Sequence, residues 1–171
     1  MLIQGGFDVL AKGVYYHSVN GGQDLRIDPN LLPDEGLLHM LNVCFGATAK
    51  VATWYLALFS GQINPAANWT AANFAATASE ITSATEGYSD TTRRTFTSAP
   101  AAANQITNLA AKAQFNIVCT TSLSVEGAAL LSNSGKGSTS GVLASATRYS
   151  APRVLYNGDV YEVGYGVALS S

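Results

Sequence analysis

The pattern that most restricts what this chain can fold into is an odd–even alternation near its carboxyl end. In FNIVCTTSLSVE, Phe115, Ile117, Cys119, Leu123 and Val125 hold odd positions, while Asn116, Thr120, Ser122, Ser124 and Glu126 hold even ones. Successive side chains of a β-strand point to opposite faces, so this period of two predicts a sheet with one apolar and one polar side. VYEVGYGVAL repeats the rhythm, Tyr161, Val163, Tyr165, Val167 and Leu169 alternating with Glu162, Gly164, Gly166 and Ala168. Each such face needs another apolar layer to cover it.

The rest of the chain extends this reading. Asn157-Gly158 is a strong short hairpin signal, because both residues tolerate positive φ. GAALLSN and GVLASATRYS read as further strands, and Glu80–Tyr88 and Arg93–Thr97 read as strand, turn, strand. Roughly seven or eight short strands at intervals of about 8–12 residues predict a mainly β chain, an antiparallel β-sandwich or jelly roll. TWYLALFS (residues 53–60) is apolar on both faces, which predicts a strand covered by a sheet on one side and by the helix expected at about 33–45 on the other.

One helix is expected at about 33–45. Pro33, Asp34 and Glu35 suit a first turn, Leu37, Leu38, Leu41 and Phe45 recur at helical spacing, and Gly46 is a natural stop. Residues 65–80 mix alanine with Trp69, Asn73 and threonines and read as a surface loop with a helical turn. Residues 1–30, with VNGGQD as a turn or hairpin signal and a short strand at Val14–Tyr16, read as an extended N-terminal arm with weak local structure. Residues 31–171 then form a single sandwich domain.

Composition narrows function. Charged residues are 12% of the 171 and hydrophobic ones 47%, which excludes disorder. The net charge of −2 supplies no basic field for a phosphate backbone, so no nucleic-acid partner is expected. No apolar run of about 18 residues predicts a membrane span, and the first residues do not resemble a secretory leader. Asn68-Trp69-Thr70 is accordingly read as a chance glycosylation match, and Cys44 and Cys119 as two buried thiols of a reducing compartment.

Little points to chemistry. His17 and His39 lack metal-ligand spacing, and no G-x-S-x-G elbow is present. SNSGKGSTSG (132–141) lacks the phosphate-loop offsets and reads as a flexible, solvated hairpin loop. Glu80, Glu86 and Asp90 could form a carboxylate cluster of glycosidase type, but beside Arg93 and Arg94 they read as a charged hairpin rim. No enzyme, cofactor or metal is expected. Tyrosine favours interfaces, where its ring is buried and its hydroxyl wet. The candidate interface residues are Tyr15, Tyr16 and His17 in the arm, Trp69 in the alanine-rich loop, and Tyr88, Arg93 and Arg94 at the rim.

Together, NLLPDEGLLHMLNVCFG, TWYLALFSG, EITSATEGYSDTTRRTF, SGKGSTSGVLASATRY and LYNGDVYEVGYGVAL resemble the capsid decoration (cement) proteins of podovirus-type tailed bacteriophages, from about residue 30 to the C-terminus. The resemblance implies a jelly-roll-like structural protein on the outer capsid surface of the virion, present in the host cytoplasm during assembly. It implies the major capsid protein and a second or third copy of the chain, as homodimer or homotrimer, for partners. The alternative is a phage tail component, an adaptor or a fibre or receptor-binding subunit of similar architecture.

Overall fold

The computed structural model describes residues 10–170 and is an antiparallel β-sandwich with two helices. The larger sheet runs in the order β2 (Gln23–Pro29), β1 (Leu10–Val19), β10 (Val160–Ser170), β7 (Ala113–Val118), β4 (Gly87–Tyr88). β6 (Gln105–Thr107) pairs with the far end of β10. The smaller sheet runs β5 (Arg94–Phe96), β3 (Trp54–Phe59), β8 (Leu123–Leu131), β9 (Leu143–Leu155). The helices are α1 (Asp34–Phe45) and α2 (Ala71–Ala78).

Most of the alternating residues form the core, with Leu123 and Val167 only partly buried against it, but Leu169, near the end of β10, is exposed. From the larger sheet Tyr15, Tyr88, Phe115, Ile117, Tyr161, Val163 and Tyr165 point inward, and from the smaller sheet Leu56, Leu58, Val125, Ala128, Leu130 and Leu155 meet them. FNIVCTTSLSVE is nevertheless not one strand. β7 belongs to the larger sheet and β8 to the smaller, so the chain turns a corner between Val118 and Leu123 and the odd residues on both sides of it face the same core. A bulge between Val125 and Gly127 then changes the parity, so that Ala128 and Leu130 are inward. Asn157-Gly158 makes a turn, with only Gly158 at positive φ (+90°), but β9 and β10 lie in different sheets. The expected hairpin is a crossing between layers. Likewise Tyr88 and Arg94 sit on strands of different sheets, not on one hairpin.

Leu10–Pro29 is not an extended arm. Asn20, Gly21 and Gly22, all at positive φ, close a β1–β2 hairpin, and β1 pairs with β10 from Leu10↔Ser170 to Val19↔Tyr161. Tyr15 and His17 on this strand are fully buried. Residues 1–9 of the expected arm lie outside the described residues.

TWYLALFS is covered on both faces, as its pattern requires. Leu56 and Leu58 face the larger sheet, while Ala57 and Phe59 lie under a second apolar layer with Trp69, Phe74, Ala129, Leu131 and Leu143. The covering helix is α2 rather than α1, and it lies in the segment expected to be a surface loop with a helical turn. Phe59, Trp69 and Phe74 pack edge to face with ring centres 6.1 to 6.3 Å apart. Thr70 begins α2 with a capping box: its side chain accepts from the Asn73 amide, and the Asn73 side chain accepts from the Thr70 amide. Replacing Thr70 with alanine is expected to cost about 1 kcal/mol in chemical denaturation.

The helix expected at 33–45 forms, but Gly36 is its one buried residue. A Cβ there would stand 2.4 Å from the Ala144 carbonyl oxygen, so glycine lets α1 lie directly on the β9 backbone. Glu35 fixes the junction: one of its oxygens accepts from the amides of Ala71 (2.8 Å) and Leu143 (2.6 Å), joining α1, α2 and β9.

Candidate interaction surface

Two buried polar clusters close the sandwich. At the β2–β9 seam, His17 Nε2 lies 2.8 Å from Asp28 Oδ2, and Arg153 Nε donates to His17 Nδ1 at 2.9 Å. Arginine cannot accept a hydrogen bond, so Nδ1 carries the lone pair and Nε2–H donates to Asp28. Tyr161 Oη is also 2.9 Å from Nδ1, and the Tyr149 ring stacks on the imidazole at 3.9 Å. Arg153 continues to the His17 carbonyl and to Asp24, and the Ser150 amide donates to Asp28 at 2.7 Å. Burial pushes the His17 pKa down to about 4, outweighing the raising effect of its bond to Asp28. Burial alone would raise Asp28, but the bonds from His17 and Ser150 together hold it below its ordinary value.

The second cluster is a buried ion pair. Arg93 Nε and Nη2 donate to Glu80 Oε1 and Oε2 at 2.7 and 2.8 Å, with both side chains fully buried. Arg93 Nη1 donates to the Asn133 carbonyl at 2.9 Å, and the Gly137 amide donates to Glu80 at 2.9 Å. Lys136 Nζ sits 3.4 Å from the centre of the Tyr88 ring and donates to the Tyr88 carbonyl at 3.0 Å. Loop 132–141 is thus stapled to the body, which corrects its reading as a flexible, solvated loop.

The candidate interface residues are mostly interior. Tyr15, His17, Trp69, Tyr88 and Arg93 are all buried, because each belongs to the core or to one of the two clusters. Tyr15 donates or accepts at Ser145 Oγ (2.8 Å) while its ring packs on Tyr165. Only Tyr16, half-buried, and Arg94, half-buried and bound to Asp90 at 2.6 Å, keep access to solvent. Of the two thiols, Cys119 is buried and Cys44 is exposed on α1, against the expectation that both are interior.

The exposed apolar surface lies elsewhere. With Gly36 against the sheet, α1 turns Leu38 (59% exposed), Leu41 (57%) and Phe45 (88%) to solvent. These residues, at i, i+3 and i+7, form one stripe along the helix. The sequence shows the stripe itself, but periodicity does not reveal which side of it meets the body. Among the described residues no three His, Cys, Asp or Glu side chains converge as metal ligands, and no helix is long and apolar enough to cross a membrane. No protein-family model matches this sequence, and no curated protein matches it either.

Proposed function

We propose that this chain is a structural virion protein that decorates the outer surface of a phage capsid and bridges its subunits, with the major capsid protein and further copies of itself as partners. The observation that carries the reading is the α1 stripe. A phenylalanine 88% exposed beside two leucines more than half exposed is poorly placed in water and well placed in a contact. The body behind it is braced by internally paired charges: the buried side chains of His17, Arg153, Glu80 and Arg93 each spend their polar atoms on partners within the chain. A sparsely charged exterior, with 12% charged residues, suits a subunit that works inside an assembly. Modest contacts repeated over a lattice give firm attachment by valency.

The test is to add the purified protein to phage capsids assembled without it and image them by cryo-electron microscopy. Density on the outer shell in the order of hundreds of copies is expected. The double replacement Leu41→Ser/Phe45→Ser should reduce occupancy at least about tenfold. Because both side chains are exposed, its stability should change by no more than about 1 kcal/mol. Density confined to the tail, or occupancy unaffected by the double replacement, would overturn the proposal.

A further inference from the structure

The sandwich is sealed at the β2–β9 seam, but a cavity of about 470 Å³ opens where α1 crosses the opposite side of the layers. Trp54, Phe96, Tyr165, Leu32, Ile106 and Val167 supply its apolar wall. His39 packs edge-on to Trp54 at 5.6 Å, holding the indole in place at the rim. A second groove of about 510 Å³ shares Met40, Ile106 and Val167 with the cavity, so the apolar wall is continuous across both.

The charges around this space are one-sided. The chain has 11 acidic and 9 basic residues, yet among the described residues no Asp or Glu side chain lines either the cavity or the groove. Among the described residues the charged group of the cavity lining is Lys50, which is exposed, and His39 with the hydroxyls of Thr53, Thr95, Thr97 and Ser98 makes up the rest of its polar lining. An apolar wall with a cation and hydroxyl donors calls for an apolar body carrying an anionic head. At about 30 Å³ per water-sized group the cavity holds roughly 15 such groups, a chain of about ten to twelve carbons with its head at Lys50.

We propose that this cavity is a binding site for an anionic amphiphile of the fatty-acid type, its chain against Trp54, Phe96 and Tyr165 and its carboxylate toward Lys50. The site is separate from the α1 stripe, and its fate does not decide the capsid reading.

The test titrates the full chain by calorimetry with dodecanoate, dodecanol and dodecyltrimethylammonium below their micelle concentrations. Saturable one-to-one binding of dodecanoate is expected, with the cationic amphiphile at least about tenfold weaker. Lys50→Glu should weaken dodecanoate about fivefold, less at high salt, and leave dodecanol unchanged, since an exposed charge is screened. Ile106→Trp, filling the shared wall, should abolish binding of both. Lys50→Glu changes an exposed side chain and remains informative should the tryptophan variant fail to fold. No saturable binding, equal affinity for the anionic and cationic amphiphiles, or a dodecanoate affinity unmoved by Lys50→Glu overturns the proposal. So does binding that appears only when residues 1–9 are removed, which would assign the cavity to the chain's own segment.

Discussion

Replacing Arg93 with alanine is expected to destabilise the protein by about 3–5 kcal/mol, the usual cost of stranding one member of a buried ion pair. For a chain of this length that lowers the melting temperature by roughly 6–20 °C. Glu80 would be left fully buried without its bidentate partner, keeping only the Gly137 amide. The Asn133 carbonyl would lose the Arg93 donor as well, so the damage should concentrate in loop 132–141. Trypsin reports this directly, because the bond after Lys136 is held against Tyr88 in the intact protein and should become cleavable in the variant. The double replacement Glu80→Leu/Arg93→Met removes both charges and should recover part of the loss, though not the loop's hydrogen bonds. A single variant that loses under about 1 kcal/mol and keeps Lys136 protected would show that the pair does not brace this end of the sandwich.

That pair also shows why the sequence reveals the layers better than it reveals the clusters. The odd–even rhythm at Phe115–Val125 identifies inward positions because one core receives side chains from both sheets. For the same reason it hides the corner at Cys119–Ser122, where the chain passes from one sheet to the other without breaking the pattern. Glu80 and Arg93 are 13 positions apart and flank other charges, so locally they resemble a solvated rim. Their burial depends on α2, on β5 and on a loop whose partners lie 40 and 57 positions further along. His17 and Arg153 are separated by 136 positions and meet only because the β1–β2 hairpin of one sheet lies against β9 of the other. The Leu10–Val19 strand is likewise stabilised by β10, some 150 residues away; VNGGQD announces its turn into β2, but nothing near it in sequence announces the pairing with β10. Helix α1 marks the opposite case: its capping residues, period and stop are all local, while the direction its apolar stripe faces depends on a glycine resting on Ala144.

The seam built on His17 should make the protein acid-sensitive above the range where carboxylates titrate. Neutral imidazole fits the site because Nε2–H donates to Asp28 and Nδ1 accepts from Arg153. A second proton would have to go on Nδ1, where it would face the Arg153 guanidinium, with Arg26 adding a further unfavourable charge. The Asp28 carboxylate opposes this but is outweighed by desolvation of the buried ring, which takes the pKa from 6.5 to about 4. Between those values the unfolded chain binds a proton that the folded chain refuses, so stability must rise with pH across the window and fall as the pH is lowered through it. The loss is expected to reach about 2–3 kcal/mol near pH 4. Below that, Asp28, whose folded pKa is depressed, begins to contribute its own loss. Urea denaturation at several pH values from 7.5 to 4 checks the slope. His17→Gln should be less stable at neutral pH yet nearly flat across the window, whereas His39→Gln, altering the chain's other histidine, should keep the wild-type slope. A flat wild-type profile, or a slope that survives His17→Gln, would mean that this imidazole is not the group that makes the β2–β9 seam sensitive to acid.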